Sequence, residues 1–202
     1  MIHAIALLTA LRGSEPAASS DAELIARHHA GDDTAFAAIY RAHVDAVYRR
    51  LTRILGPIPE REDLTQDVFL ALHRGLPRFR GEAKLGTLIH RIAINRACEH
   101  LRRVHRRPAT PLEGWLFDEL VSACSGPEAQ ATAREELVRV FAALAKIKPK
   151  KRIAFLLRVV DGLGFDEIAQ LVDATPETVA KRVQHAQHEL DALLARCDRR
   201  AS

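Results

Sequence analysis

The 202-residue sequence predicts an all-α chain, with two small helical domains joined by a flexible linker and a helix-turn-helix in the C-terminal domain. Three observations carry this expectation. Apolar residues recur at helical spacing in almost every long segment, and no run alternates as a strand would. Composition then changes between Pro108 and Ala133, where Pro108, Pro111, Gly114, Gly126 and Pro127 interrupt any sustained period. Finally, small, turn and apolar residues between Phe165 and Val179 are spaced as in a crossed helix pair. The expected units are an N-terminal extension over 1–20, a helical domain over 21–107, an acidic linker over 108–134 and the helix-turn-helix domain over 135–202.

The elements follow in order. Ser20 and Glu23 have capping-box spacing, opening a first helix that Gly31 closes. A second helix runs from about Thr34 to Leu55, with Phe36, Ile39, Tyr40, Val44, Val47, Leu51 and Ile54 on one face. Gly56-Pro57-Ile58-Pro59 breaks it. A third spans about Glu60 to Arg74 and stops at Gly75, with Pro77 beyond. After the loop Pro77 to Gly86, a fourth begins near Lys84 to Thr87 and continues to about Arg103, with Ile92, Leu101 and Val104 as inward candidates. Helical patterning resumes at Arg134 and runs to about Cys197, interrupted at Pro149, at Gly162-Leu163-Gly164 and at Asp173 to Thr175.

Composition bounds the class. An apolar fraction of 48% is enough for a packed core and too high for a disordered chain. The net charge of +4 is too small to name a partner, but it divides as +3 over 21–105, −2 over 106–135 and +3 over 136–202. Two basic helical units therefore flank an acidic strap. Cys98, Cys124 and Cys197 are distant and odd in number, which supports neither a disulfide framework nor a zinc ribbon and fits a reducing cytoplasm. The apolar start from Met1 to Leu11 is too short to span a bilayer and lacks a basic flank, so a chain without membrane insertion is expected. His28-His29 near Asp32-Asp33 suggests a metal site, but adjacent histidines point to different sides of a helix. No phosphate loop, nucleophile elbow or His-Glu-x-x-His signature is present, so no cofactor, metal or enzymatic activity is expected.

The helix pair near the C-terminus is the more specific signal. Phe165–Val172 is short and amphipathic, with Ile168, Ala169 and Val172 inward, and Asp173-Ala174 makes a tight turn. Thr175 is a good N-cap, Pro176 suits the first helical position and Glu177 the positive helix end. Val179, Val183, Ala186, Leu190 and Leu194 fall on the buried side of the second helix. Its outward face carries Glu177, Thr178, Lys181, Arg182, Gln184, His185 and His188, where Thr and Lys can reach base edges and Arg and His suit phosphates. Upstream, Arg91, Asn95, Arg102, Arg103, Arg106 and Arg107 form a basic tract suited to phosphates. The loop before it mixes Arg78, Arg80 and Lys84 with Phe79, which can stack on a base or plug the core. The helix at Glu62–Leu70 has an acidic face beside an apolar one; its spacing alone demands no partner.

Glu62-Asp63-Leu64-Thr65-Gln66-Asp67-Val68-Phe69, Phe79-Arg80-Gly81-Glu82-Ala83, and Arg91-Ile92-Ala93-Ile94-Asn95 with Leu101-Arg102-Arg103 resemble the first domain of extracytoplasmic-function sigma factors. Arg158 to Ala169 followed by Thr178-Val179-Ala180-Lys181-Arg182 resembles their second domain. The resemblance implies a bacterial sigma factor that binds core RNA polymerase and directs promoter-specific transcription initiation. It implies that Asp63, Gln66 and Asp67 dock on the β′ clamp helices, with further contacts to the β subunit. Arg78, Arg80, Lys84, Thr87, His90, Arg91, Asn95, Arg102 and Arg103 would melt and hold the −10 element, capturing a flipped base. Thr175, Glu177, Thr178, Lys181, Arg182 and His185 would read the −35 element, and the acidic linker would thread polymerase channels. Promoter DNA and an anti-sigma factor are the other implied partners. The family usually has Thr-Trp-Leu-Tyr where this chain has Thr87-Leu88-Ile89-His90, which implies less stacking capacity for melting. A free-standing helix-turn-helix regulator with a helical sensor or dimerisation domain is the alternative reading; unlike a sigma factor, it needs no polymerase-docking face.

Overall fold

The computed structural model describes residues 18–56, 58–81, 83–104 and 126–201, with side chains from 21 to 196 in those ranges. Among the described residues all regular structure is helical. The first unit holds α1 (Ala18–His29), α2 (Asp33–Leu55), α3 (Arg61–Gly75), a 3-10 turn (Leu76–Arg78) and α4 (Leu85–Val104). The second holds α5 (Pro127–Lys146), α6 (Pro149–Val159), α7 (Phe165–Val172) and α8 (Pro176–Ala201).

Local chemistry sets most boundaries. α1 starts before Ser20, so that residue lies inside the helix and does not cap it. A tertiary contact fixes the first turn instead: buried His43 of α2 donates to Asp21 Oδ1 at 3.0 Å. Gly31, at φ +88°, ends α1. Asp32 caps α2 by accepting from Thr34 N at 2.9 Å. Hydrogen bonds from Thr34 and Arg27 hold its carboxyl at about 2, below the usual carboxylate range. At the start of α3, Arg61 donates to Ile58 O and Thr52 Oγ1 and lies over the Tyr48 ring, tying α3 back to α2.

Ile39, Val47, Leu51 and Ile54 of α2 are buried as their spacing predicts. Tyr40 is not: it stays 37% exposed, edge-on to Phe69 at 4.7 Å. His43 is drawn into the core by its bond to Asp21. Val104 is also exposed, because the last turn of α4 runs beyond the packed core. α5 begins at Pro127, within the stretch expected as linker, since Gly126 at φ +91° and Pro127 at the first helical position together open a helix. The Trp115-Leu116-Phe117 patch, Arg106, Arg107 and Cys124 lie outside the described residues.

The helix-turn-helix forms through its own caps. Gly164 N donates to Glu167 Oε2 at 2.7 Å, opening α7. Asp173 ends it in the left-handed region at φ 50°, and Thr175 Oγ1 accepts from Thr178 N to open α8. Ile168 and Ala169 are buried and Val172 is half-buried against the same cluster, as expected, and Leu171 is buried with them.

Two apolar clusters result. One joins the cores of α2, α3 and α4 to Ile153, Ala154 and Leu157 of α6, Ile168 and Ala169 of α7, and Val179 of α8. The other packs α5 and α8 against Phe155, Leu156 and Val160 on the far side of α6. α6 is therefore buried on both sides, and the two units share a continuous interior. The left-handed turn yields a stability test: Asp173→Gly should gain up to about 1 kcal/mol, whereas Asp173→Val should lose about 1–2 kcal/mol in thermal unfolding.

Candidate nucleic-acid interface

Three polar surfaces stand out on this scaffold. The first is the outer face of α3. Leu64, Val68, Phe69 and Leu72 turn inward, leaving Asp63, Gln66 and Asp67 exposed together. Leu70 follows on the same face at helical spacing and is 54% exposed. Sequence reading overlooked it, although the spacing 63, 66, 67, 70 was a sufficient signal. An acidic face with one apolar side chain at its edge suits a basic protein partner rather than a polyanion.

The second surface is a cleft of about 1090 Å³ between α1 and the loop that precedes α4. Asp21, Ile25 and His29 line one side, and Arg78, Phe79 and Arg80 the other. His29 Nε2 donates to Leu76 O at 2.9 Å, joining α1 to that loop. Phe79 is half-buried: it packs against the core and also lines the cleft. Arg78, Arg80 and Lys84 are exposed around it. From there Thr87, Arg91 and Asn95 continue along the exposed side of α4 at four-residue spacing, with Arg102 and Arg103 exposed at its end.

His90 departs from the expected arrangement. Its ring turns inward, Nε2 is sealed from solvent, and no hydrogen-bond partner for that atom is present among the described residues. Burial, with Arg50 and Arg53 nearby, pushes its pKa down from 6.5 to about 3, so it is neutral at physiological pH and brings no cation to this surface. It lines a smaller cavity of about 240 Å³ with His43, Arg50, Lys84 and Thr87.

The third surface is the outward side of α8. Thr175, Glu177, Lys181 and His185 are exposed, while Thr178 and Arg182 are half-buried. Lys181 Nζ meets Glu177 Oε1 at 2.6 Å in an exposed pair one turn apart. Such a pair contributes only a few tenths of a kcal/mol, roughly, and yields readily to a phosphate or a base edge.

His28 faces Phe36 and His73, apart from the His29 contact to Leu76 O. No group of three or more His, Cys, Asp or Glu that could hold a metal occurs among the described residues. Cys98 is a free thiol whose pKa is raised by burial. None of the helices in the described residues is long and apolar enough to cross a membrane.

A helix-turn-helix, a basic helix beside a cation-rimmed cleft, and a separate exposed acidic face are the features of a two-unit, DNA-binding protein. Comparison with known proteins agrees. Residues 39–107 match the model for sigma-70 region 2, and 137–186 match that for sigma-70 region 4. The chain is 33% identical to the ECF RNA polymerase sigma factor SigM of Mycobacterium tuberculosis over 87% of its own length and 85% of the relative's. It is 29% identical to the ECF RNA polymerase sigma-E factor of Escherichia coli, covering 85% and 93% of the two chains. Its fold matches a solved structure of CnrH in complex with the cytosolic domain of CnrY, with a TM-score of 0.60, 23% identity, and coverage of 87% and 97%.

The chain belongs to the extracytoplasmic-function family of RNA polymerase sigma factors. It is a sigma factor that directs promoter-specific transcription, and a free-standing regulator is not favoured because the matches span both units.

The buried imidazole of His90 gives a pH test. Its folded pKa of about 3 lies below the ordinary 6.5, so the unfolded chain binds the extra proton between these values. Its burial therefore carries no protonation cost above pH 6.5 and destabilises as pH falls, by at most about 1.4 kcal/mol per unit. His90→Gln should flatten the decline in unfolding free energy between pH 6.5 and 4; an unaltered slope would remove the assignment.

Proposed function

We propose that each surface carries one step of initiation. The α3 face at Asp63, Gln66 and Asp67, extended by Leu70, docks on the β′ clamp helices of core polymerase. The cleft beside Phe79 receives a base extruded from the non-template strand of the −10 element. Arg78, Arg80 and Lys84 hold the adjoining backbone, and Thr87, Arg91, Asn95, Arg102 and Arg103 guide the strand along α4. Melting draws on binding energy for the extruded strand, so it needs no nucleotide hydrolysis and no catalytic residue. Thr175, Glu177, Thr178, Lys181, Arg182 and His185 address the −35 element, with α8 in the major groove.

The carrying observation is the segregation of charge: the acid of α3 is exposed on one helix face, and the cations of the loop and α4 line a separate path. Residues 21–107 then form the docking and −10 domain and 135–202 the −35 domain. The acidic stretch 108–134 lies between them, entering polymerase channels and contacting the β subunit. The protein acts in the cytoplasm under an anti-sigma factor, by analogy with CnrH, whose solved structure is a complex with the cytosolic domain of CnrY.

Run-off transcription with core polymerase and a promoter library tests the whole reading. Asp63→Lys with Asp67→Lys should abolish co-purification with core polymerase while the circular dichroism spectrum stays helical; undiminished capture would remove the docking assignment. Lys181→Ala and Arg182→Ala should each lower transcription from −35-dependent promoters by roughly tenfold, the loss of about 1–3 kcal/mol of base or phosphate contact. An unchanged promoter profile would overturn the role of α8.

A further inference from the structure

The cavity of about 240 Å³ that His90 lines lies between α1, α2 and the first turns of α4. At roughly 30 Å³ per molecule in the liquid, it has room for about eight waters. Part of its lining is apolar: Val47, Ile89 and Ala93 are buried, and Ala46 is half-buried beside them. The rest is polar and supplied by His43, Arg50, Lys84, Thr87 and His90, with Asp21 behind His43. Gly86, in the first turn of α4, also lines it, and an added Cβ there would meet nothing within 4 Å.

Charge in this space favours an anion. Arg50 and Lys84 stand against one acid, Asp21, whose Oδ1 already accepts from His43 at 3.0 Å. The first turn of α4 adds the positive end of a 20-residue helix. The two imidazoles differ in their freedom. Asp21 holds the N–H of His43 on Nε2, whereas Nε2 of His90 has no hydrogen-bond partner among the described residues. Nothing at that atom selects the tautomer of His90, so its neutral ring can turn its one N–H to an occupant.

The apolar lining narrows the class. Water or a bare oxyanion would serve the polar groups and leave Val47, Ile89 and Ala93 against a polar molecule. A carboxylate on a compact apolar body meets both parts of the lining. We infer that this cavity binds a small monocarboxylate of that kind, such as an aromatic acid, and that its occupation weakens engagement of the −10 element. The carboxylate lies toward Arg50, Lys84 and the His90 ring, and the apolar body against Val47, Ile89 and Ala93. The coupling arises from shared residues, because Lys84 and Thr87 line the cavity and also belong to the path assigned to the −10 strand. An occupant that neutralises Lys84 removes a cation from that path. The site stands on the cavity itself; only the coupling rests on the −10 assignment.

The test uses full-length protein with sodium benzoate as the probe, and acetate and inorganic phosphate as comparisons at matched ionic strength. Calorimetry should show one benzoate per chain with a Kd of about 1 mM or tighter. At ten times that concentration Tm should rise by about 3–6 °C. The His90 ring nitrogen resonances, assigned by their loss in His90→Gln, should shift during the titration. Gly86→Leu and Ala46→Leu fill the cavity from α4 and from α2; each should stay helical and bind benzoate at least about tenfold more weakly. In the holoenzyme, benzoate at ten times its Kd should weaken binding of a −10 promoter fragment by up to about tenfold, as competition requires. No saturable binding, an equal response to acetate or phosphate, or undiminished binding in both filled variants would each overturn the site. Binding of benzoate with unchanged promoter affinity would overturn the coupling. Lys84→Gln without benzoate separates the two readings: if it holds the promoter as the parent does, the −10 assignment of Lys84 fails, while the titration still decides the site.

Discussion

The structure depends on the burial of α4 on more than one side. This helix packs against α1, α2 and α3 in its own unit and against α6 and α7 in the other. Ala93 and Ala97 are fully buried, so close helix crossings are possible where larger side chains would hold the neighbours apart. Leu85, Ile89, Ile94 and Leu101 fill the remaining space. What is left for solvent is one narrow stripe, and Thr87, Arg91, Asn95 and Arg102 occupy it. The residues proposed to face DNA are aligned because every other direction around the helix is taken.

Much of this was legible in the sequence. Gly31, Asp173, Thr175 and Pro176 each act through local backbone chemistry, so their positions could be read without tertiary information. The α3 face was legible for the same reason, since helical periodicity separates Asp63, Gln66 and Asp67 from Leu64, Val68 and Leu72. Most of the exceptions share one cause. Tyr40, His43, His90 and Leu171 are placed by which helix lies opposite, a property that spacing along one helix does not encode, whereas Val104 lies beyond the packed core. Asp21 captures His43 from another helix. The Gly126-Pro127 helix start was different, because its signal was local and was outweighed by the surrounding turn residues.

The buried polar groups divide into two kinds. His43 and Asp21 satisfy each other inside the first unit and fix how α1 lies on α2, which sets one wall of the cleft. Arg53, Arg152 and Asp161 lie between the units, where a purely apolar contact would hold more firmly. Polar burial within the first unit sets one wall of the cleft; polar burial between the units places charged groups in a nearly solvent-free contact.

The order of synthesis gives the shared interior another meaning. Leu101 leaves the ribosome well before Ile168, the α7 residue that joins its cluster. At roughly 5–20 residues per second, the first unit spends several seconds without its cover. During that interval the faces of α2 and α4 that later meet α6 and α7 are open to other nascent chains. The end of α2 is guarded by a charge, Arg53, and the end of α4 by Arg102 and Arg103. Of these cations only Arg53 is concealed when the fold is complete, so its charge faces water during that interval and is covered afterwards.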